Sequence, residues 1–244
     1  MKTLAALFLI LAAPAALVAA DTCVRIENHM DEYYYMGQTH AAVNRIDEIW
    51  FGDNKVAYVS EGQKIILDPG DSSLVFMNLR DSTYAEGRLP FDWAGLVSEE
   101  TYSLLETYRR HGEVEETTET KTIGGWPCRA CKIDSWLNVE DGRYSEREEK
   151  VWMSKELPID WDLFGRVHRD LLALSNYHDD FITKLLKIEG FSVATETKTF
   201  IQGFSVNSYE RIIDIAEKTA PPGLYAVPNG FRKKSELTLD DLNG

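Results

Sequence analysis

The chain has 244 residues, 44% of them hydrophobic, with 26 Lys and Arg against 40 Asp and Glu, a formal net charge of −14. So acidic a balance argues against nucleic acid and anionic membrane surfaces as partners, because phosphate contacts need clustered Lys and Arg.

Met1-Lys2, an apolar run from Thr3 to Val18 broken by Pro14, and the small exit residues Ala19-Ala20 have the three regions of a secretory signal peptide. Residues 1–20 are therefore expected to be removed before Asp21, leaving 21–244 as a single periplasmic or secreted domain with no transmembrane segment. Loss of Lys2 takes the mature net charge to −15. A lipoprotein signal at Cys23 fits poorly, because Asp21 stands where acylation signals want small apolar residues.

From Cys23 to Met36 and from Ala41 to Phe51 the sequence reads as two strands, the second ending at the turn Gly52-Asp53-Asn54. Three shorter strands follow, Lys55 to Ser60, Lys64 to Leu67 and Ser73 to Leu79, joined by connections of hairpin length. Leu74-Val75-Phe76-Met77 is apolar at every position, so this strand is expected to be covered on both faces. Past the connecting stretch Asp81 to Glu86, Ser98 caps a short helix that ends near His111-Gly112, with Glu99 and Glu100 in its first turn. Three long strands follow, Glu113 to Ile123, Trp126 to Val139 and Tyr144 to Met153; the acidic runs Glu113 to Glu119 and Glu146 to Glu149 read as solvated strand faces.

Leu157 to Gly190 is the one long segment with helical periodicity. Ile159, Leu163, Val167, Leu171 and Leu174, then Phe181, Leu185 and Ile188, recur every three or four residues. Ser175-Asn176 interrupts the stripe, and Asp179-Asp180 suits a new first turn, so the stretch reads as one helix or as two. Phe191 to Phe200 and Phe204 to Ile215 then form a hairpin. The pattern predicts an α+β fold in which a strongly curved antiparallel sheet, an unclosed β-barrel, carries the helices in its concave mouth.

The motifs Asp53-Asn54-Lys55-Val56, Ile65-Ile66-Leu67-Asp68, Asp81-Ser82-Thr83-Tyr84, Lys121 to Cys128 (KTIGGWPC), Lys150 to Ser154 (KVWMS) and Leu224 to Phe231 (LYAVPNGF) resemble an uncharacterised family of exported bacterial proteins. That family is similar to the outer-membrane lipoprotein carriers of the LolA and LolB type. The resemblance implies a cleft that shelters a lipid, an acyl chain or a lipoprotein, with no catalytic residue and no cofactor. Leu163, Phe164, Val167, Leu171, Phe181, Leu185 and Phe76 are the residues expected to line it. Gly190-Phe191-Ser192, where the family commonly has proline after the glycine, and the second cysteine at Cys131 depart from its pattern.

Two other functions compete. One is a packed structural protein whose acidic exterior meets an envelope partner. The other is thiol–disulfide exchange through Cys128 and Cys131, although no helix pattern follows that CxxC. Three cysteines in an exported chain also suggest one structural disulfide, Cys128 with Cys131 across a local turn or Cys23 with either. His29, Met30, Met36 and His40 are a scattered set for a soft metal, with no spacing that enforces convergence, and no metal is expected. His111, His168 and His178 read as surface or helix-flank residues.

Overall fold

The computed structural model of the protein describes residues 20–35, 37–139, 142–201 and 203–242. The expected signal peptide, apart from Ala20, and Met36 lie outside the described residues. Among those described, twelve strands join in one curved, unclosed sheet, antiparallel but for one short edge pairing.

The strand β1 (Asp21–Met30) is central, hydrogen-bonded on one side to β4 (Val43–Phe51) and on the other to β13 (Phe204–Lys218). A separate small hairpin, β2 (Tyr33–Tyr35) with β3 (Gln38–His40), lies between β1 and β4 in the chain. From β4 the sheet runs as a meander through β5 (Val56–Val59), β6 (Gln63–Asp68), β7 (Ser73–Asn78) and β8 (Thr83–Arg88). From β13 it runs through β12 (Phe191–Ile201), β11 (Gly142–Ser154) and β10 (Trp126–Val139) to the free edge β9 (Arg110–Ile123). Helix α1 (Glu99–Thr107) links the two halves, and α2 (Trp161–Leu174) and α3 (Asp179–Leu185) lie between β11 and β12. The chain ends with β14 (Arg232–Lys233), parallel to β8, and a short α4 (Leu239–Leu242).

Alternation along β1 and β4–β8 sorts side chains into two buried layers. Val24, Phe51, Val56, Leu67, Leu74 and Phe76 join α2 in the main core. Their neighbours Cys23, Trp50, Ala57, Ile66 and Met77 form a second core on the opposite face, covered by Leu224, Tyr225 and Val227 of the C-terminal segment. The strand expected to be covered on both faces is so covered, and the tail is its second cover.

The helices start where the caps direct. Ser98 Oγ accepts from Thr101 N at 3.3 Å, and Asp160 Oδ1 accepts from Leu163 N at 2.8 Å. The break between α2 and α3 falls at Asn176, whose φ of 56° is left-handed and whose amide donates to Leu105 O at 3.0 Å. Strand β9 starts at Arg110, before the expected boundary at Gly112, because its backbone exchanges bonds with Asn176 O and His178 N.

Two glycines are needed for close packing. At Gly190, φ is +115° and a Cβ would lie 2.8 Å from Ser154 O. At Gly112 a Cβ would lie 2.4 Å from the ring of Phe181, which is buried where α3 meets β9 and β10. Gly112→Ala should therefore lower the unfolding free energy by about 1–3 kcal/mol, the usual range for overpacking. Urea denaturation measures it, and an unchanged midpoint would show that α3 does not seat on β9.

The expected disulfide is not formed: Cys23, Cys128 and Cys131 are free, buried thiols. The reason is their placement. Cys128 and Cys131 lie in one extended strand, with Cα atoms about 10 Å apart at the strand rise. Cys23 on β1 is four strand positions from β10, roughly 19 Å along the sheet.

Candidate functional site

Between α2, α3 and the inner face of the sheet lies a cavity of about 470 Å³. Phe164, His168, Leu171 and Leu174 border it from α2, and Leu185 from α3. Ile26, Ile65, Ile133, Val193 and Ile212 close it from five different strands. The void exists because the sheet curves more widely than two short helices can fill. The stripe of α2 packs tightly at Leu163 and Val167, both 0% exposed, whereas Leu171 one turn further on remains half-buried.

The seven residues expected in the cleft therefore divide. Phe164, Leu171 and Leu185 border the void. Leu163, Val167 and Phe76 are packed core between α2 and the sheet, and Phe181 is packed core between α3 and β9. His168, read as a surface or helix-flank residue, lies half-buried on α2 and borders the cavity, where it stacks on Phe164 at 4.5 Å and burial lowers its pKa, favouring the neutral ring.

Polar groups gather in the same trough, beyond the apolar residues. Asp47, 2% exposed, accepts from Tyr58 Oη at 2.6 Å and Asn28 Nδ2 at 3.1 Å, with Arg45 Nε 3.4 Å away. Glu149 is half-buried on β11 and Glu210 is exposed to water on β13. The protein packed around them raises both carboxyl pKa values, and for Glu210 the neighbouring Glu149 adds to the rise. Burial, then the Glu149 charge, pushes Tyr177 up to about 12, and burial with Arg147 beside it brings Arg110 down to about 10. Glu149 thus departs from the expectation that its acidic run is a solvated face.

Glu210 was the residue hardest to find from the sequence. A signal existed, since Val206 and Ile212 share its parity in β13 and both are buried, so the acid stands in an inward-facing series.

Of the soft-metal set, His29 bonds to Asn44 Oδ1 at 2.7 Å and Asp31 Oδ1 at 2.9 Å, and His40 stacks on Tyr33 at 4.6 Å. Among the described residues no group of three His, Cys, Asp or Glu side chains is placed to hold a metal ion, and no helix is long and apolar enough to cross a membrane. Burial raises the thiol pKa of Cys128 and pushes Cys23 and Cys131 up to about 11.

No protein-family model matches the chain, and no curated protein matches its sequence.

Proposed function

We propose that the protein is an exported, non-enzymatic binding protein that holds a lipid acyl chain or a lipid-modified partner between α2–α3 and the inner sheet face. The observation that carries this reading is the cavity of about 470 Å³, lined mostly by apolar side chains and within the range of about 300–1,000 Å³ typical of small-ligand sites. Such a void would serve no purpose in a protein that only presents its exterior to an envelope partner. The similarity to lipoprotein carriers of the LolA and LolB type, and the signal-like first 20 residues, agree with a carrier outside the cytoplasm.

Thiol exchange is less well supported. A catalytic cysteine needs a lowered pKa and access, whereas Cys128 and Cys131 are buried with raised pKa values.

Titration with the neutral dye N-phenyl-1-naphthylamine, and mass spectrometry of an organic extract of the purified protein, test the proposal. Wild-type protein should bind the dye or yield a co-purified lipid, and Leu171→Trp, which fills the void, should weaken dye binding at least about tenfold. Absence of both dye binding and extracted lipid would remove it.

A further inference from the structure

The polar part of the cavity's lining selects among amphiphiles. It includes Tyr58, Gln63, His168, Ser175, Ser192, Arg211 and Glu210, and all but the last are occupied. Gln63 Nε2 donates to Leu242 O, Ser175 Oγ donates to Leu171 O, and Ser192 Oγ bonds to Thr195 Oγ1. Tyr58 gives its hydroxyl to Asp47. His168 lies flat on Phe164. Arg211 is turned to Glu27 at 2.5 Å and lies over the Tyr209 ring at 5.4 Å. The remaining one is Glu210, opposite Asn28 on β1 and Thr195 on β12. Its carboxylate has no hydrogen bond and no ion pair among the described residues.

The charges around it do not compensate it. Arg45 and Arg147 act on Glu210 from one side of the balance, Glu149 and Asp47 from the other. With Glu210 itself, three acids face two arginines, and Arg45 already lies 3.4 Å from Asp47. Glu210 is exposed to the water of the trough and has no partner among the described residues, so a cation delivered beside it gains a charge-assisted contact without breaking an existing ion pair. A fatty-acid carboxylate in the same place would add a fourth negative charge.

We propose that the cavity takes a cationic amphiphile, its alkyl tail among Leu171, Leu185, Ile65 and Val193 and its ammonium group against Glu210. This rests on the binding reading above and names its ligand class.

The test is displacement of N-phenyl-1-naphthylamine from the full mature chain by dodecylammonium, dodecanol and dodecanoate, all below their micelle concentrations at pH 7. Dodecylammonium should displace the dye at a concentration about tenfold lower than dodecanoate. Raising NaCl to 0.5 M should weaken dodecylammonium and leave dodecanol unchanged. In Glu210→Gln the three ligands, each referred to the variant's own dye affinity, should converge to within about threefold. Equal ranking in the wild-type protein, or a preference for dodecanoate, overturns the ligand class while the dye signal keeps the cavity reading intact. A preference that survives Glu210→Gln also overturns it, because the acidic exterior would then be collecting the cation. Absence of both dye binding and co-extracted lipid in the wild-type protein sinks the cavity reading itself. Should Glu210→Gln fail to fold, the wild-type ranking and its salt dependence still decide.

Discussion

Leu163→Ala should lower the free energy of unfolding by about 2–5 kcal/mol, whereas Leu171→Ala, two turns along the same helix, should cost about 1–2 kcal/mol. Both remove the same atoms from α2. Leu163 is 0% exposed and wedged between α2 and strands held by a continuous hydrogen-bonded ladder, so the surroundings cannot collapse into the space and the cavity penalty adds to the transfer term. Leu171 already borders a void of about 470 Å³, so its truncation loses only part of its contacts and enlarges a space that exists. The dye should bind Leu171→Ala at least as well as wild type. Paired urea titrations measure the two costs. Equal costs would mean that the void is closed by side-chain movement in solution, and the site proposed here would lose its basis.

The same contrast marks the limit of what periodicity reveals. The stripe from Ile159 to Ile188 identified the helical segment and the face it buries, because helical spacing is a local property, and the structure resolves the choice between one helix and two with a break at Asn176. Periodicity could not separate the packed half of the stripe from the half that borders a void. That depends on sheet curvature, which arises from pairings such as β1 with β13 that span most of the chain. Strand β8 was also missed. Thr83-Tyr84-Ala85-Glu86-Gly87-Arg88 has little apolar content, yet Thr83 and Ala85 are 0% and 1% exposed, because the strand owes its place to pairing with β7 rather than to large side chains. The double-sided character of Leu74 to Met77 was legible, but the element covering its second side was not, since the tail that covers it lacks regular periodicity.

That tail gives the second large effect: Leu224→Asp should lower the melting temperature by roughly 10 °C and open Cys23 to thiol reagents. Leu224 packs against Cys23, Trp50, Ala57, Ile66 and Met77, so a carboxylate there would be buried among apolar groups at a cost of several kcal/mol. For a chain of this size each kcal/mol corresponds to roughly 2–4 °C. The neighbouring attachments are too few to hold the segment in place against that cost. Lys64 Nζ donates to Gly223 O at 3.2 Å and Ala226 O at 3.0 Å, and Tyr225 Oη donates to Asp21 Oδ2 at 2.8 Å. Further along, Leu237 is 0% exposed in the main core, its N donates to Leu96 O at 2.8 Å and Gln63 Nε2 donates to Leu242 O at 2.8 Å, so the end of the chain should stay anchored while the middle lifts. Cys23 is 0% exposed with its pKa pushed up to about 11, first by burial and then by Glu48, so the native thiol should resist Ellman's reagent. Lifting the tail removes the largest cause of that shift as well as the steric cover. Cys128 and Cys131 lie under other elements and should remain slow, which makes the count of fast thiols the readout: none in wild type and about one in Leu224→Asp. Tyr225→Phe removes a single hydrogen bond, worth about 1 kcal/mol, and should leave Cys23 protected. If Cys23 stays inert in Leu224→Asp and the melting temperature does not move, the second core does not depend on the tail, and the outer face of β1 and β4–β8 must be shielded in another way.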